Sequence, residues 1–135
     1  MAVYEKILAL GFLTGSRAWG LENKASSGSC AKVKESDYDI CIRIEDFEDA
    51  KQLLESQNYP TKESHYFNGL KGKVDYKDVN IIPLAEEDYG CWFLATEAFK
   101  PIVVALNPSL KKSQRHGVFQ GIVQLIKSTG VVQVS

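Results

Sequence analysis

Apolar and polar positions along the chain fall into blocks whose periods separate strands from helices. From Tyr38 to Ile44 (YDICIRI), Tyr38, Ile40, Ile42 and Ile44 alternate with Asp39, Cys41 and Arg43. A period of two puts the first set on one face and predicts a strand. Glu45 to Asn58 changes period: Phe47, Ala50, Leu53 and Leu54 stand at helical spacing, with acidic residues in the first turn where the helix dipole favours them. Met1 to Leu13 is mostly apolar and stops at Thr14-Gly15-Ser16, which reads as a strand ending in a tight turn. Arg17 to Asn23 has room for one or two helical turns, and Lys24 to Ser29 has the small, polar composition of an exposed loop. Ser64 to Leu84 reads as a hairpin or meander broken near Gly69 and Gly72, with Asp78 to Leu84 as its last strand. Ala85 to Leu106 carries Tyr89, Trp92, Phe93, Ala95, Thr96 and Phe99 at helix-compatible spacing, its regular length limited by Pro101. Asn107-Pro108 then reads as the N-cap and first position of a final helix, with Leu110, Val118, Ile122, Leu125 and Ile126, that stops at Gly130.

This order predicts an α+β fold, a small mixed β-sheet with helices packed against it. At 135 residues the chain fits one domain, residues 1–135, and no repeat or interdomain linker is visible. An apolar share of 44% and a charged share of 24% are those of a globular chain, which sets aside disorder and fibrous repeats. With 16 Lys+Arg against 17 Asp+Glu, a net charge of −1 removes bulk electrostatics as a means of coating nucleic acid or anionic membrane. No uninterrupted apolar run reaches the roughly 20 residues of a membrane span, so a cytoplasmic protein without membrane contact is expected. Cys30, Cys41 and Cys91 are odd in number and widely spaced, which points to reduced thiols, and His65 and His116 lack the spacing of metal ligands.

Two segments place polar groups where a core would take apolar ones. At Gly15-Ser16 a glycine turn lets the backbone approach a phosphate, to which the Ser16 hydroxyl and the N–H groups of the next turn can donate. Arg17 follows directly and is within reach of the same phosphate. At Ser36-Asp37-Tyr38-Asp39-Ile40 the two carboxylates share one strand face, about 6.6 Å apart at the Cα atoms. Such a pair can bridge two metal ions spaced about 3.5–4 Å, which would activate an attacking oxygen and stabilise a departing pyrophosphate, and Mg²⁺ suits oxygen ligands and substrate phosphates. Each motif alone has an ordinary reading, a plain turn for the first and a solvated acidic pair for the second. Together they form the two halves of a site for a nucleoside triphosphate.

At Leu13-Thr14-Gly15-Ser16-Arg17-Ala18-Trp19-Gly20 and Ser36-Asp37-Tyr38-Asp39-Ile40-Cys41-Ile42, the chain resembles the polymerase-beta-like nucleotidyltransferase superfamily. That superfamily joins an apolar strand ending in Gly-Ser to a short helix and an Asp-x-Asp between apolar residues. Small single-domain members, some phage-encoded, look most similar, through Val79-Asn80-Ile81-Ile82 and the Trp92 to Glu97 helix; the likeness covers roughly residues 8 to 97. It implies transfer of a nucleoside monophosphate from a triphosphate, ATP by preference, to a hydroxyl. Asp37 and Asp39 would be metal ligands, Mg²⁺ the cofactor, and Gly15 and Ser16 would lie at the phosphates. The chain departs from the pattern twice. Residues 24–34 lengthen the connection between the motifs, and Asn80 stands where many members carry a third carboxylate. An amide orients a ligand or a water but is no general base; Asp78 or Asp75 would take the place under another register.

The acceptor, whether small molecule, RNA end or protein side chain, is not legible. Asn80 keeps open a second reading, a nucleotide- or partner-binding module that has lost turnover, and a third is an interaction domain without nucleotide affinity. Lys111, Lys112 and Arg115 either close over a triphosphate or are solvated, and Trp19 and Trp92 either stack on a base or fill the core.

Overall fold

The computed structural model describes residues 2–20, 37–64, 67–106 and 109–132. The chain divides into two compact units, Met1–Pro83 and Leu84–Ser135.

In the first unit, helix α1 (Val3–Leu8) leads into strand β1 (Gly11–Thr14) and a single helical turn, α2 (Gly15–Ala18). Strand β2 (Tyr38–Arg43) follows, then a 3₁₀ turn and helix α3 (Phe47–Glu55). Strands β3 (Lys62–Glu63), β4 (Leu70–Val74) and β5 (Lys77–Leu84) complete a five-stranded mixed sheet in the order β1-β2-β5-β4-β3. The expected α+β class is therefore what the chain adopts. Strand β2 lies where its alternation placed it, and α3 within the predicted helical stretch.

The N-terminal segment corrects the sequence reading. Met1 to Leu13 was expected as one strand, but residues 3–8 are helical and only Gly11 onward is extended. Val3, Tyr4, Ile7 and Leu8 form a stripe at helical spacing that packs against the core, and a short apolar run does not separate that pattern from a strand.

The core lies on one face of the sheet. Ile40 and Ile42 of β2, Val74 of β4, and Val79 and Ile81 of β5 form one buried cluster with Ile7 of α1 and Ala50 and Leu54 of α3. Gly72 is not a break but part of β4, where a Cβ would stand 2.7 Å from Leu54 Cγ. Glycine is what lets α3 sit this close to the sheet. By alternation, the neighbours of these core residues, Asp39 and Cys41, Asp78 and Asn80, Lys71 and Lys73, emerge on the opposite face.

Strands β4 and β5 are joined by Asp75 and Tyr76, both at positive φ (50° and 63°), the signature of a two-residue hairpin turn whose twist matches the strands. Asp75, held in reserve as an alternative third acid, has a different place. Its carboxylate accepts from the Tyr4 N–H at 2.7 Å and from Gln57 Nε2 at 2.8 Å, while its own N–H donates to Gln57 Oε1 at 2.7 Å. It thus caps α1, which has no capping side chain of its own, and latches the hairpin to the chain beyond α3. The Tyr4 and Gln57 hydrogen bonds hold the carboxyl below the usual carboxylate range. A lowered folded-state pKa adds stability that is complete above the ordinary carboxylate range and disappears as the pH falls through the lower folded value. Asn tolerates the same left-handed backbone, so Asp75→Asn is expected to lose less in melting temperature between pH 6 and pH 3 than the parent. Equal losses in parallel thermal melts would remove Asp75 as an acid-sensitive latch.

The second unit is a helical hairpin of α4 (Glu86–Leu106) and α5 (Lys112–Thr129). Trp92 and Phe119 meet edge to face at 5.1 Å between ring centroids, Phe99 tilts against Phe119 at 6.4 Å, and Asp88 pairs with Lys127. Asp88 near the start of α4 reaching Lys127 near the end of α5 makes the pair antiparallel. Pro101 does not end α4 as expected. The carbonyl its ring leaves without a donor belongs to Glu97, and both residues are on the exposed side, open to solvent. Helix α5 begins at Lys112, not at Pro108, with the Lys111 N–H donating to Gln114 Oε1 at 2.8 Å; Asn107 and Pro108 lie outside the described residues. Gly130 closes the helix in the left-handed conformation (φ 69°), as predicted.

Among the described residues, α4 is the one helix long and apolar enough by length and composition to cross a membrane, although charged residues interrupt its apolar run. Cys91, Trp92, Ala95, Thr96, Phe99 and Val103 are buried along it.

Candidate active site

Three backbone facts assemble the site. Thr14 of β1 is the Cα partner of Asp39 of β2, Lys71 of β4 is the Cα partner of Asn80 of β5, and β2 and β5 are neighbours. Thr14, Asp39, Asn80 and Lys71 therefore follow one another across four strands on the face away from the aliphatic core. Asp37 and Asp78 stand two residues from Asp39 and Asn80 on the same face.

Gly15 directly follows Thr14 and has φ 72°, a conformation that L side chains rarely adopt. A Cβ there would lie 2.6 Å from Asp39 Oδ2. Glycine thus serves two needs, the left-handed turn into α2 and the close approach of backbone to carboxylate. The structure brings Gly15 and Asp39 together as the paired motifs required, with Ser16 next in the turn.

Asn80 Nδ2 is 3.4 Å from Asp39 Oδ1, a long hydrogen bond that aims the amide at the carboxylate. The residue is 4% exposed, and its Oδ1 is buried without a hydrogen-bond partner. Leaving a buried carbonyl oxygen unsatisfied costs about 1–3 kcal/mol, so this atom is suited to accept from a ligand donor or to meet a cation.

Lys71 is the residue the sequence reading missed. Its Nζ lies 2.9 Å from Asp37 Oδ2, so the side chain spans β5 to reach the carboxylate at the head of β2. The hydrogen bond to Asp37 raises the ammonium pKa above its ordinary value, and the charges of Asp37, Asp39 and Asp78 add to it, against partial burial. The signal was present in the hairpin: a two-residue turn at Asp75-Tyr76 pairs 74 with 77 and hence 71 with 80.

The Arg17 guanidinium stacks 4.1 Å above the Tyr38 ring in a cation–π contact, and Tyr38 packs against the aliphatic core and edge-on to Tyr4. Cys41 shares the Asp39 face, but burial above all, and then Asp39, pushes its thiol pKa well up, so it stays protonated and unreactive. Cys41 and Cys91 are free and buried. Cys30, Ser36, His65 and the 24–34 segment lie outside the described residues.

Trp19 and Trp92 are both buried, at 7% and 6% exposure, and fill interior space. Of the basic group on α5, Lys111 and Lys112 are exposed, whereas Arg115 is buried and donates to the Leu110 carbonyl at 3.3 Å. Burial lowers the Arg115 pKa, but a guanidinium keeps its proton.

The donors at Asp37, Asp39 and Asn80 are all oxygens, the set a hard cation takes. No group of three His, Cys, Asp or Glu side chains converges among the described residues. Asp37 and Asp39 supply carboxylate oxygens on the same sheet face as the unpartnered Asn80 Oδ1, the ligand type that Mg²⁺ takes when it keeps several waters and shares its coordination with substrate phosphates. They do not make the all-protein cage of a structural calcium or zinc site. Compared with family models, curated proteins and solved structures, the chain matches none.

Proposed function

We propose that the chain is a minimal Mg²⁺-dependent nucleotidyltransferase that moves a nucleoside monophosphate from a triphosphate, ATP by preference, to a hydroxyl acceptor. The observation that carries this reading is Gly15 held in a left-handed turn with its Cα against the Asp39 carboxylate. No packing need of the aliphatic core explains that contact. The geometry supports a site in which the turn receives a phosphate group and the carboxylates receive its metal.

Asp37 and Asp39 would hold the metal, and the Gly15-Ser16 turn would lie along the triphosphate. Bound there, Mg²⁺ supplies positive charge to the phosphates and to the departing pyrophosphate. The acceptor oxygen forms a bond to the α-phosphorus as the bond to the β-phosphate bridge oxygen breaks. The acceptor proton leaves to a carboxylate or to solvent. Asn80 takes no proton; its part is to orient Asp39 through Nδ2 and to present Oδ1 to a ligand. A cytosolic setting with reduced Cys41 and Cys91 accords with this reading.

Asn80 at the third-acid position favours one competing reading, a nucleotide-binding module without turnover. Thermal unfolding with ATP, with and without Mg²⁺, followed by pyrophosphate assay across hydroxyl acceptors, separates the readings. ATP at 100 times its dissociation constant is expected to stabilise the protein by about 2.7 kcal/mol, and only with the metal present. Binding without pyrophosphate release leaves the module. No stabilisation at millimolar Mg²⁺-ATP removes nucleotide from both.

A further inference from the structure

We propose that Lys71 is a tethered counter-cation at Asp37, so that a divalent ion binds there only by displacing it. This inference rests on the nucleotidyltransferase reading and concerns what controls loading of that site.

Lys71 Nζ sits 2.9 Å from Asp37 Oδ2, so its ammonium stands in the approach to an oxygen that Mg²⁺ would bind at about 2.0–2.1 Å. It reaches there from β4, across the intervening strand β5, and not from the strand next door. Its backbone is paired with Asn80, whose buried Oδ1 has no partner. One cation is thus already among the carboxylates, next to an amide oxygen that no protein group satisfies.

The pair is not sealed: the Lys71 and Asp37 side chains are 37% and 31% exposed. An ion pair this open is weak and can exchange partners. A free divalent ion must remove a unit positive charge from its own ligand with nothing to offer that charge in return. A metal that arrives with a triphosphate offers phosphate oxygens to the released ammonium. The site therefore favours the metal–nucleotide complex over the free ion, and Lys71 changes partner from Asp37 to a phosphate as the complex binds. Lys73, also on this face, is the Cα partner of Asp78 and serves as a control for charge alone.

The test is Mn²⁺ binding to the full chain without nucleotide, followed by the electron paramagnetic resonance of free Mn²⁺, so that no activity is required. Lys71→Met is expected to bind Mn²⁺ about tenfold more tightly than the parent, Lys71→Arg to stay near the parent, and Lys73→Met to change by less than about twofold. Asp37→Asn or Asp39→Asn in the Lys71→Met background is expected to abolish the gain. Thermal melts of each variant without metal keep folding out of the comparison. Equal or weaker Mn²⁺ binding by Lys71→Met, where binding still depends on the aspartates, overturns the displacement and leaves the metal reading in place. An equal gain from Lys73→Met overturns it as well, since the effect is then one of net charge. Mn²⁺ binding that ignores both aspartates in every background overturns the metal reading itself.

Discussion

Asp39→Asn is expected to abolish Mg²⁺-dependent stabilisation by ATP and to lower pyrophosphate release by about 100-fold or more, with the unfolding free energy of the empty protein unchanged within about 0.5 kcal/mol. The loss follows from the charge a metal ligand supplies: several kcal/mol of stabilisation at about 1.36 kcal/mol per tenfold in rate. The neutrality follows from the apo contacts. Asn retains an oxygen for the 3.4 Å approach of Asn80 Nδ2, and an amide is nearly the size of the carboxylate against which Gly15 packs. Two electrostatic effects oppose each other. Repulsion from Asp37 and Asp78 is relieved, and part of the attraction for Lys71 is lost. Chemical denaturation of the apo variant and a thermal shift with Mg²⁺-ATP measure the two halves separately. A cost of several kcal/mol without ligand would show Asp39 to be a structural acceptor, and retained Mg²⁺-ATP stabilisation would move the metal elsewhere.

How much of this was legible in the sequence depended on whether the deciding contact was local. Strand β2 was readable because Tyr38, Ile40 and Ile42, which pack on the aliphatic core, alternate with Asp39, Cys41 and Arg43, and Asp37 and Asp39 inherit a common face from that period of two. The Gly15 turn and its pairing with the Asp37–Asp39 segment were readable from the two motifs together, whereas the close approach of Gly15 to Asp39 itself is set by the β1–β2 register. Helix α1 was missed because six residues that satisfy helical spacing also read as an apolar strand, and the deciding term is burial against α3 and the sheet. Asp75 and Lys71 were invisible for a related reason. Asp75 finds Tyr4 at a separation of 71 positions and Gln57 at 18, and Lys71 finds Asp37 across a strand. Both follow once the two-residue turn at Asp75-Tyr76 is placed, since that turn sets every pair in the β4–β5 ladder.

Gly11→Ala is expected to be the most damaging single methyl in the first unit, costing about 3 kcal/mol or more and taking nucleotide binding with it. A Cβ at Gly11 would stand 1.8 Å from the Cys41 carbonyl oxygen and 2.9 Å from its carbon. The obstruction is main chain of the adjoining strand, so no rotamer change relieves it, and β1 must move or detach. Strand β1 is an edge strand with one neighbour, β2, and it carries Thr14 and Gly15 at its end. Displacement therefore separates the turn from Asp39 while leaving the acid pair on β2 intact. Gly117→Ala in α5 is the matched control: a Cβ there meets nothing within 4 Å, and an exposed helical alanine should add about 0.5–1 kcal/mol. The two variants differ from the parent by the same group, so opposite signs in urea denaturation isolate the backbone collision from any general effect of a methyl. A Gly11→Ala protein that unfolds like the parent would mean that β1 has slack to yield, and the site would then not depend on a rigid β1–β2 register.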